Sequence, residues 1–306
     1  MRNQLNGVIV LDKPAGISSA KVVAEVKRCM GAAKVGHTGT LDPFATGVLV
    51  CCLNQATRLA RFFLHGSKHY EAVLRLGIDT DTLDGTGVVV AQHVVPEMHQ
   101  DRLLEVFNRF KGPQMQQPPV YAALKHNGTP LYKLARQGKP VYKPPRAITI
   151  SVLRILDIAL PDVRFEVHCS AGTYVRVLCA DIGTALGCGG HLAQLRRTMG
   201  SGFTLDEAVD LHDLKQMQVS DRNARVIPMA EALRGVPIFR AGAEMLQWLS
   251  HGKPITADNV PHQAVKGLEA VQPDGIVKVV DEADELKAVL QMAADGTRYN
   301  YCCVFH

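Results

Sequence analysis

Gly36-His37-Thr38-Gly39-Thr40-Leu41-Asp42-Pro43-Phe44-Ala45-Thr46-Gly47 sets one carboxylate in a loop of glycines and hydroxyls with a single histidine. An apolar run, residues 48–53, follows at once. Gly36, Gly39 and Gly47 allow tight backbone conformations and close approach of a ligand. Pro43 removes one backbone donor and biases Asp42 towards an extended conformation. Asp-Pro by itself mainly marks a turn. The whole dodecamer implies more: a carboxylate held stiffly at a concave, hydroxyl-rich surface.

The flanks supply the scaffold for this loop. Residues 7–16 read as a short buried strand ending in a turn. Ser18 or Ser19 then caps a helix whose Val22, Val23, Val26 and Met30 share one face, stopped at Gly31. After the loop, residues 48–53 form a strand, and Asn54 caps a helix running to about residue 64, with Ala56, Leu59, Ala60 and Phe63 inward. From residue 69 to 78 the period switches to two. Tyr70, Ala72, Leu74, Leu76 and Ile78 share one face and His69, Glu71, Val73 and Arg75 the other. A polar loop at 79–87, a strand at 88–95 and a helix carrying Leu103, Leu104, Phe107 and Phe110 come next. Strands at 148–157 and 163–170 precede a helix at 173–186 that ends on Gly187. This order predicts an α+β fold, a mixed and mostly antiparallel sheet flanked by helices, rather than a regular βαβ array.

A chain of 306 residues exceeds one comfortable core and suggests a large unit at 1–235 and a small one at 236–306. In the smaller unit Gly242, Gly252, Gly267 and Gly275 punctuate short apolar runs, as in a small β-barrel. Net charge is +5, but residues 241–306 hold five basic and nine acidic side chains. The remainder keeps 29 of the 34 basic and 20 of the 29 acidic residues, a body suited to a polyanion. No apolar run is long enough for a membrane span, and the N-terminus lacks a signal-like segment, so a cytoplasmic location is expected. The eight cysteines form no C-x-x-C pair and fall mostly in apolar stretches, as buried reduced thiols do. Residues 112–146 stand out as an excursion from the core. They carry seven prolines, with Lys125, Lys133, Arg136, Lys139, Lys143 and Arg146 interleaved with Tyr121, Tyr132 and Tyr142 and a short helix near residues 131–137. Basic groups with interleaved aromatics suit phosphate contact and base stacking.

The dodecamer at 36–47 resembles, almost residue for residue, the catalytic motif of the bacterial T-loop-specific tRNA pseudouridine synthases. The resemblance extends from residue 6 to about 214, with a weaker match through the tail. It implies the pseudouridine synthase fold with a small C-terminal PUA-like domain. It implies also that the chain isomerises one uridine of the tRNA T-loop, position 55 by the family's convention, to its C-glycoside. Asp42 is then the catalytic carboxylate. Arg176, in Val167-His168-Cys169-Ser170-Ala171-Gly172-Thr173-Tyr174-Val175-Arg176, matches the arginine that pairs with it. Tyr70 matches the residue that stacks on the flipped base, and Tyr174 and Leu195 match pocket walls. Lys13 matches a lysine supporting the Asp42 loop or the RNA backbone, and His37 a contact to unstacked T-loop bases. Lys125, Lys133, Arg136 and Arg146 would clamp the T-arm. The implied partner is tRNA alone, bound by a monomer. Guide-RNA-dependent relatives have longer, basic tails, so no guide RNA is expected.

Moving a base from an N- to a C-glycoside calls for a flipping pocket, a carboxylate and a water-poor enclosure, with no metal and no cofactor. Burial would tend to protonate Asp42, and a guanidinium at Arg176 would oppose that. Two other readings stay open from the residues: a non-catalytic tRNA-binding or folding protein on the same scaffold, and an N-glycoside hydrolase releasing free uracil. The chain lacks a P-loop, a G-x-G-x-x-G before a helix and the H-x-E with C-x-x-C of zinc deaminases.

Overall fold

Alternation at residues 68–76 builds the middle of the main sheet. Along the strand Lys68–Leu76, Tyr70, Ala72, Leu74 and Leu76 are buried, while His69, Glu71 and Val73 are half-buried and Arg75 is exposed. The structure, a computed structural model, describes residues 5–260, 265–266 and 275–305. Gly267 lies outside the described residues. Across the main sheet the strands run in the order Val209–Asp210, Gly7–Lys13, Thr46–Leu53, Gly190–Gly200, Lys68–Leu76, Asp162–Cys169, Arg146–Ala159 and Gly112–Gln116. Only the first pair and the pair Thr46–Leu53 with Gly190–Gly200 are parallel. The sheet is therefore mixed and mostly antiparallel. Helices Gln100–Arg109 and Val175–Leu186 pack on it through Leu103, Phe107, Leu178 and Ile182, with Phe107 edge-on to Phe165 at 5.6 Å. Helix Ser19–Cys29 is capped by Ser18, whose hydroxyl accepts from the Lys21 N–H, and sets Val22 and Val26 against Ile9, Leu11 and Leu49.

A second, six-stranded sheet begins at Ile238–Arg240 and includes Ile276–Val280, Leu286–Met292 and Arg298–Val304. One side of it has its own core of Phe239, Leu249, Ile255, Val279 and Leu290. The other shares a core with the main sheet: Val280, Leu286, Val289 and Phe305 pack with Val8, Val10, Val48, Val50 and Phe63. Lys278, buried in the same region, donates to the carbonyls of Ala230 (2.7 Å) and Leu233 (2.9 Å). Arg58 lies 5.1 Å over the Phe305 ring. The smaller sheet is fastened to the larger by a continuous apolar seam.

Several local expectations are corrected. Asn54 caps no helix. It takes φ +50°, starts a 3-10 turn at Asn54–Leu59, and its side-chain oxygen accepts the N–H groups of Ala33 and Lys34. Ile78 does not continue the central strand, because the chain turns at Gly77 (φ +86°) and Ile78–Thr80 pairs instead with Val89–Gln92. That hairpin leaves the main sheet, so Val88, Val89, Val90 and Val94 are exposed rather than core. The basic excursion starts later than its composition suggests, since Gly112–Gln116 is the edge strand of the main sheet. Among the three loop glycines only Gly47 uses left-handed freedom (φ +101°).

At Gly47 the strands Thr46–Leu53 and Gly190–Gly200 meet in register with Arg197, and a Cβ there would lie 2.2 Å from the Arg197 carbonyl oxygen. Gly47→Ala adds backbone strain to that clash and is expected to lower the thermal midpoint by about 6 °C or more. A midpoint within about 2 °C of the parent would contradict this packing.

Candidate active site

The Asp42 loop is pinned from beneath by buried polar groups that bond its backbone. Lys13, fully buried at the end of the first strand, donates to the carbonyls of Pro14 (2.9 Å), Pro43 (3.1 Å) and Ala45 (2.6 Å). Three carbonyls use all three N–H groups of an ammonium. Burial outweighs the nearby Asp42 charge and brings the Lys13 pKa down to about 8. The buried hydroxyl of Ser19 both accepts from the Leu41 N–H and donates to the Leu41 carbonyl, each at 2.9 Å. The Gly16 N–H bonds the Pro43 carbonyl at 2.8 Å. Lys13 thus holds the loop and has no exposed surface of its own.

Arg176 sits in the first turn of the helix Val175–Leu186, where the preceding strand and the Gly172 turn aim it at this loop. Its Nε lies 3.0 Å from Asp42 Oδ2. Nη1 donates to the Thr82 carbonyl (2.9 Å) and lies 3.6 Å from Asp84 Oδ2, and Nη2 donates to the Tyr121 carbonyl (2.8 Å). One buried guanidinium therefore gathers three segments remote in sequence. Asp84 is itself fixed, its Oδ1 accepting from the Thr82 hydroxyl, the Thr86 hydroxyl and the Thr86 N–H. The Asp42 side chain keeps 35% of its surface open, at the floor of a cavity of about 360 Å³. Burial pushes its pKa up; Arg176 opposes that shift, and Asp84 adds to it.

Tyr70, Tyr174, Leu195 and Arg146 line the same cavity. The expected residues Asp42, Arg176, Tyr70, Tyr174, Leu195 and Arg146 are thereby brought to one place. The Tyr174 backbone is clasped by Gln116, whose amide donates to its carbonyl (3.1 Å) and accepts its N–H (2.8 Å). The Arg146 guanidinium lies 4.9 Å over the Tyr174 ring and donates to the Gly172 carbonyl, while its Nε is buried with no partner. His37 lies apart from the cavity lining, on the short strand Val35–His37, with Nδ1 accepting the Gly39 N–H; burial lowers its pKa and keeps it neutral. Lys125, Lys133 and Arg136 are exposed on the hairpin and helix at 125–136, outside the cavity.

Three charged groups of the site escaped the sequence reading. Asp84 is one. Its signal was the threonines two residues away on either side, in Thr82-Leu83-Asp84-Gly85-Thr86. Arg197 and Lys68 are the others, 3% and 9% exposed and both on the cavity wall. Arg197 stands opposite Tyr70 across the paired strands, as Leu195 stands opposite Ala72. The period of two from Leu195 pointed to Arg197. The register shift between Leu192 and Gln194 hid that period in the longer run. A larger cavity, about 570 Å³, lies beyond Leu195 and Thr46, but its charged lining groups are all paired, Glu71 with Arg164 and Arg196 with Asp12, each at 2.6 Å. A half-buried carboxylate and several cations converge only on the smaller of these two cavities.

The chain is similar to known proteins over most of its length. A family model described as TruB family pseudouridylate synthase, N-terminal domain, covers residues 27–175, and one for the tRNA pseudouridylate synthase B C-terminal domain covers residues 176–236. The tRNA pseudouridine synthase B of Syntrophotalea carbinolica is 46% identical over 256 residues, 84% of each chain. That of Francisella philomiragia is 44% identical over 239 residues, 78% of this chain and 79% of the relative. Among solved structures, a crystal structure of a Cbf5-Nop10-Gar1 complex superposes with a TM-score of 0.75 at 28% identity, covering 99% of this chain and 85% of the other.

Because burial outweighs the guanidinium, folded Asp42 holds its proton more tightly than it would in an unfolded chain. Stability is therefore lost as pH rises from the ordinary aspartate value to the folded pKa, relative to Asp42→Asn, which carries no such group. A carboxyl-carbon NMR titration should place the Asp42 pKa above the ordinary aspartate value of 3.8. Arg176→Gln should raise it further and Asp84→Asn lower it, because each removes the charge acting in the opposite sense. A pKa at or below the ordinary value would contradict the desolvated floor.

Proposed function

The chain belongs to the TruB family of pseudouridylate synthases and is a tRNA pseudouridine synthase; from that membership we propose that its substrate is one uridine of the T-loop, position 55 by the family's convention. The observation that carries the reading is the Asp42 carboxylate, 3.0 Å from the Arg176 guanidinium on the floor of a cavity walled by Tyr70 and Leu195. A uridine drawn out of the RNA stack lays its ring on Tyr70, and the stack, about 1–3 kcal/mol, offsets much of the cost of flipping. Asp42 faces the sugar and the base edge. Whichever atom it engages first, C1′, C6 or a proton, the N1–C1′ bond breaks, the base turns, and C5–C1′ forms. N1 ends with a proton and C5 gives one up, so the product is an isomer and no redox change occurs. Arg176 keeps the carboxylate aligned and opposes its protonation, while Lys13 keeps the loop from yielding as the base rotates. Tyr174 and Leu195 close the pocket against water.

Outside the cavity, the exposed Lys125, Lys133 and Arg136 contact phosphates of the T-arm, with Arg146 at the pocket rim. The tRNA binds without a guide RNA to a single copy of the protein. His37 meets the bases left unstacked when the uridine leaves the loop.

Purified protein mixed with an unmodified tRNA transcript should yield pseudouridine only at the T-loop uridine, mapped at single-nucleotide resolution. Asp42→Asn should lower the rate by about 10²–10⁴-fold or more while retaining tRNA binding. Pseudouridine at another position would overturn the substrate. Tight binding without modification by the parent protein would leave a binding protein instead.

For the clamp, Lys125→Gln, Lys133→Gln and Arg136→Gln should each weaken tRNA affinity modestly. Each should also reduce the slope of log affinity against log salt by about 1. Unchanged slopes in all three would remove the segment from the interface.

A further inference from the structure

Four cations, Lys68, Arg146, Arg176 and Arg197, line the Asp42 cavity against a single carboxylate, and Arg176 alone engages it. Among the described residues neither Lys68 nor Arg197 has an ion-pair partner, although both are more than nine-tenths buried. Arg197 donates through Nε to the Val48 carbonyl (2.6 Å) and through Nη2 to the Gly39 carbonyl (3.0 Å), and it stands opposite Tyr70 in the neighbouring strand. Lys68 donates to the carbonyls of Gly66 (2.9 Å) and Leu64 (3.4 Å), which leaves one ammonium N–H uncommitted. Both cations close on Gly39, where a Cβ would stand 3.4 Å from Arg197 Nη1 and 3.5 Å from Lys68 Cε. Gly39 has no left-handed φ, so the backbone does not require glycine here; what the missing side chain leaves is room between two positive groups. Desolvated like charges side by side are costly unless an anion joins them. Their effect on each other is visible in Lys68, whose pKa is lowered by burial and then by Arg197.

We infer that Lys68 and Arg197 form a phosphate cradle over Gly39, and that its occupant is the RNA phosphodiester next to the uridine in the Asp42 pocket. The inference rests on the assignment of that pocket to an extruded uridine. Arg197 joins the two subsites: its guanidinium faces the cradle, and it stands opposite the tyrosine on which the base stacks. A phosphate in the cradle therefore fixes the backbone of the flipped nucleotide while its base is free to turn. The same contact supplies the counter-charge that two buried cations lack in the free protein. Lys68 is thus a substrate-binding residue and Arg197 a positioning residue for Tyr70.

The test uses T-arm stem-loops carrying one charge-neutral methylphosphonate, placed 5′ or 3′ of the target uridine, with the parent protein and with Lys68→Met. Single-turnover conversion of the all-phosphate RNA by the parent protein checks the pocket assignment separately. If that RNA is not converted, it is the proposed function that fails. One of the two methylphosphonates should slow the parent by about tenfold to a hundredfold, the loss of one charge-assisted contact. Lys68→Met should be slowed by a similar factor on natural RNA and no further by that methylphosphonate. Indifference of the parent to both methylphosphonates overturns the cradle without reference to any variant. Slowing factors that multiply, instead of merging, overturn the contact to Lys68. Inhibition of the parent but not Lys68→Met by inorganic phosphate, with both methylphosphonate RNAs processed normally, assigns the cradle to a free anion and overturns the phosphodiester.

Discussion

The ion pair between Asp42 and Arg176 is the constraint around which the rest of the molecule is arranged. A carboxylate on the floor of a desolvated cavity tends to take up a proton, and a lone buried guanidinium is costlier still. Each is stabilised by the other, yet a buried pair with unsatisfied edges seldom repays its desolvation. The chain meets that difficulty by using every nitrogen of Arg176: Asp42, Asp84 and the carbonyls of Thr82 and Tyr121 surround it. The same contacts fix the loop at 79–87 and the start of the basic excursion relative to the Asp42 loop. Electrostatic satisfaction and assembly of the site are one requirement.

That requirement explains the topology. Asp42 precedes the strand Thr46–Leu53 and Arg176 follows the strand Asp162–Cys169, with Gly190–Gly200 and Lys68–Leu76 between them in the sheet. The two central strands bring Leu195, Arg197 and Tyr70 to the gap. Rigidity comes from beneath, where Lys13 and Ser19 convert an otherwise free loop into part of the core. The two matched family models meet at residues 175 and 176, so the ion pair spans their junction. Neither segment carries a complete site alone.

Much of this was legible in the sequence where local chemistry and periodicity agree. Asp42 announced itself through its neighbours and the central strand through its alternation at Tyr70 to Leu76, whereas Arg176 was found through the family resemblance of residues 167–176. What stayed hidden depends on contacts between distant segments. Nothing local separates Lys68 from a surface lysine; burial by Leu64, Gly66 and Arg197 does that. Asn54 looked like a cap because asparagine caps helices. Its side chain instead serves the N–H groups at 33 and 34. The strand expected at 88–95 forms only over Val89–Gln92, in a hairpin off the main sheet that carries the valines at 88–90 into solvent. Gly39 shows the same limit, since Arg197 and Lys68 approach it from other strands.

The central claim is that an extruded T-loop uridine occupies the cavity with its base on Tyr70 and its sugar at Asp42. A crystal structure of the Asp42→Asn protein bound to a T-arm stem-loop tests it most directly. The account predicts one uridine out of the stack, its ring against Tyr70 and Leu195 and its C1′ in van der Waals contact with the side chain at position 42. A stem-loop bound with its uridine still stacked in the loop and the cavity empty of RNA would contradict it.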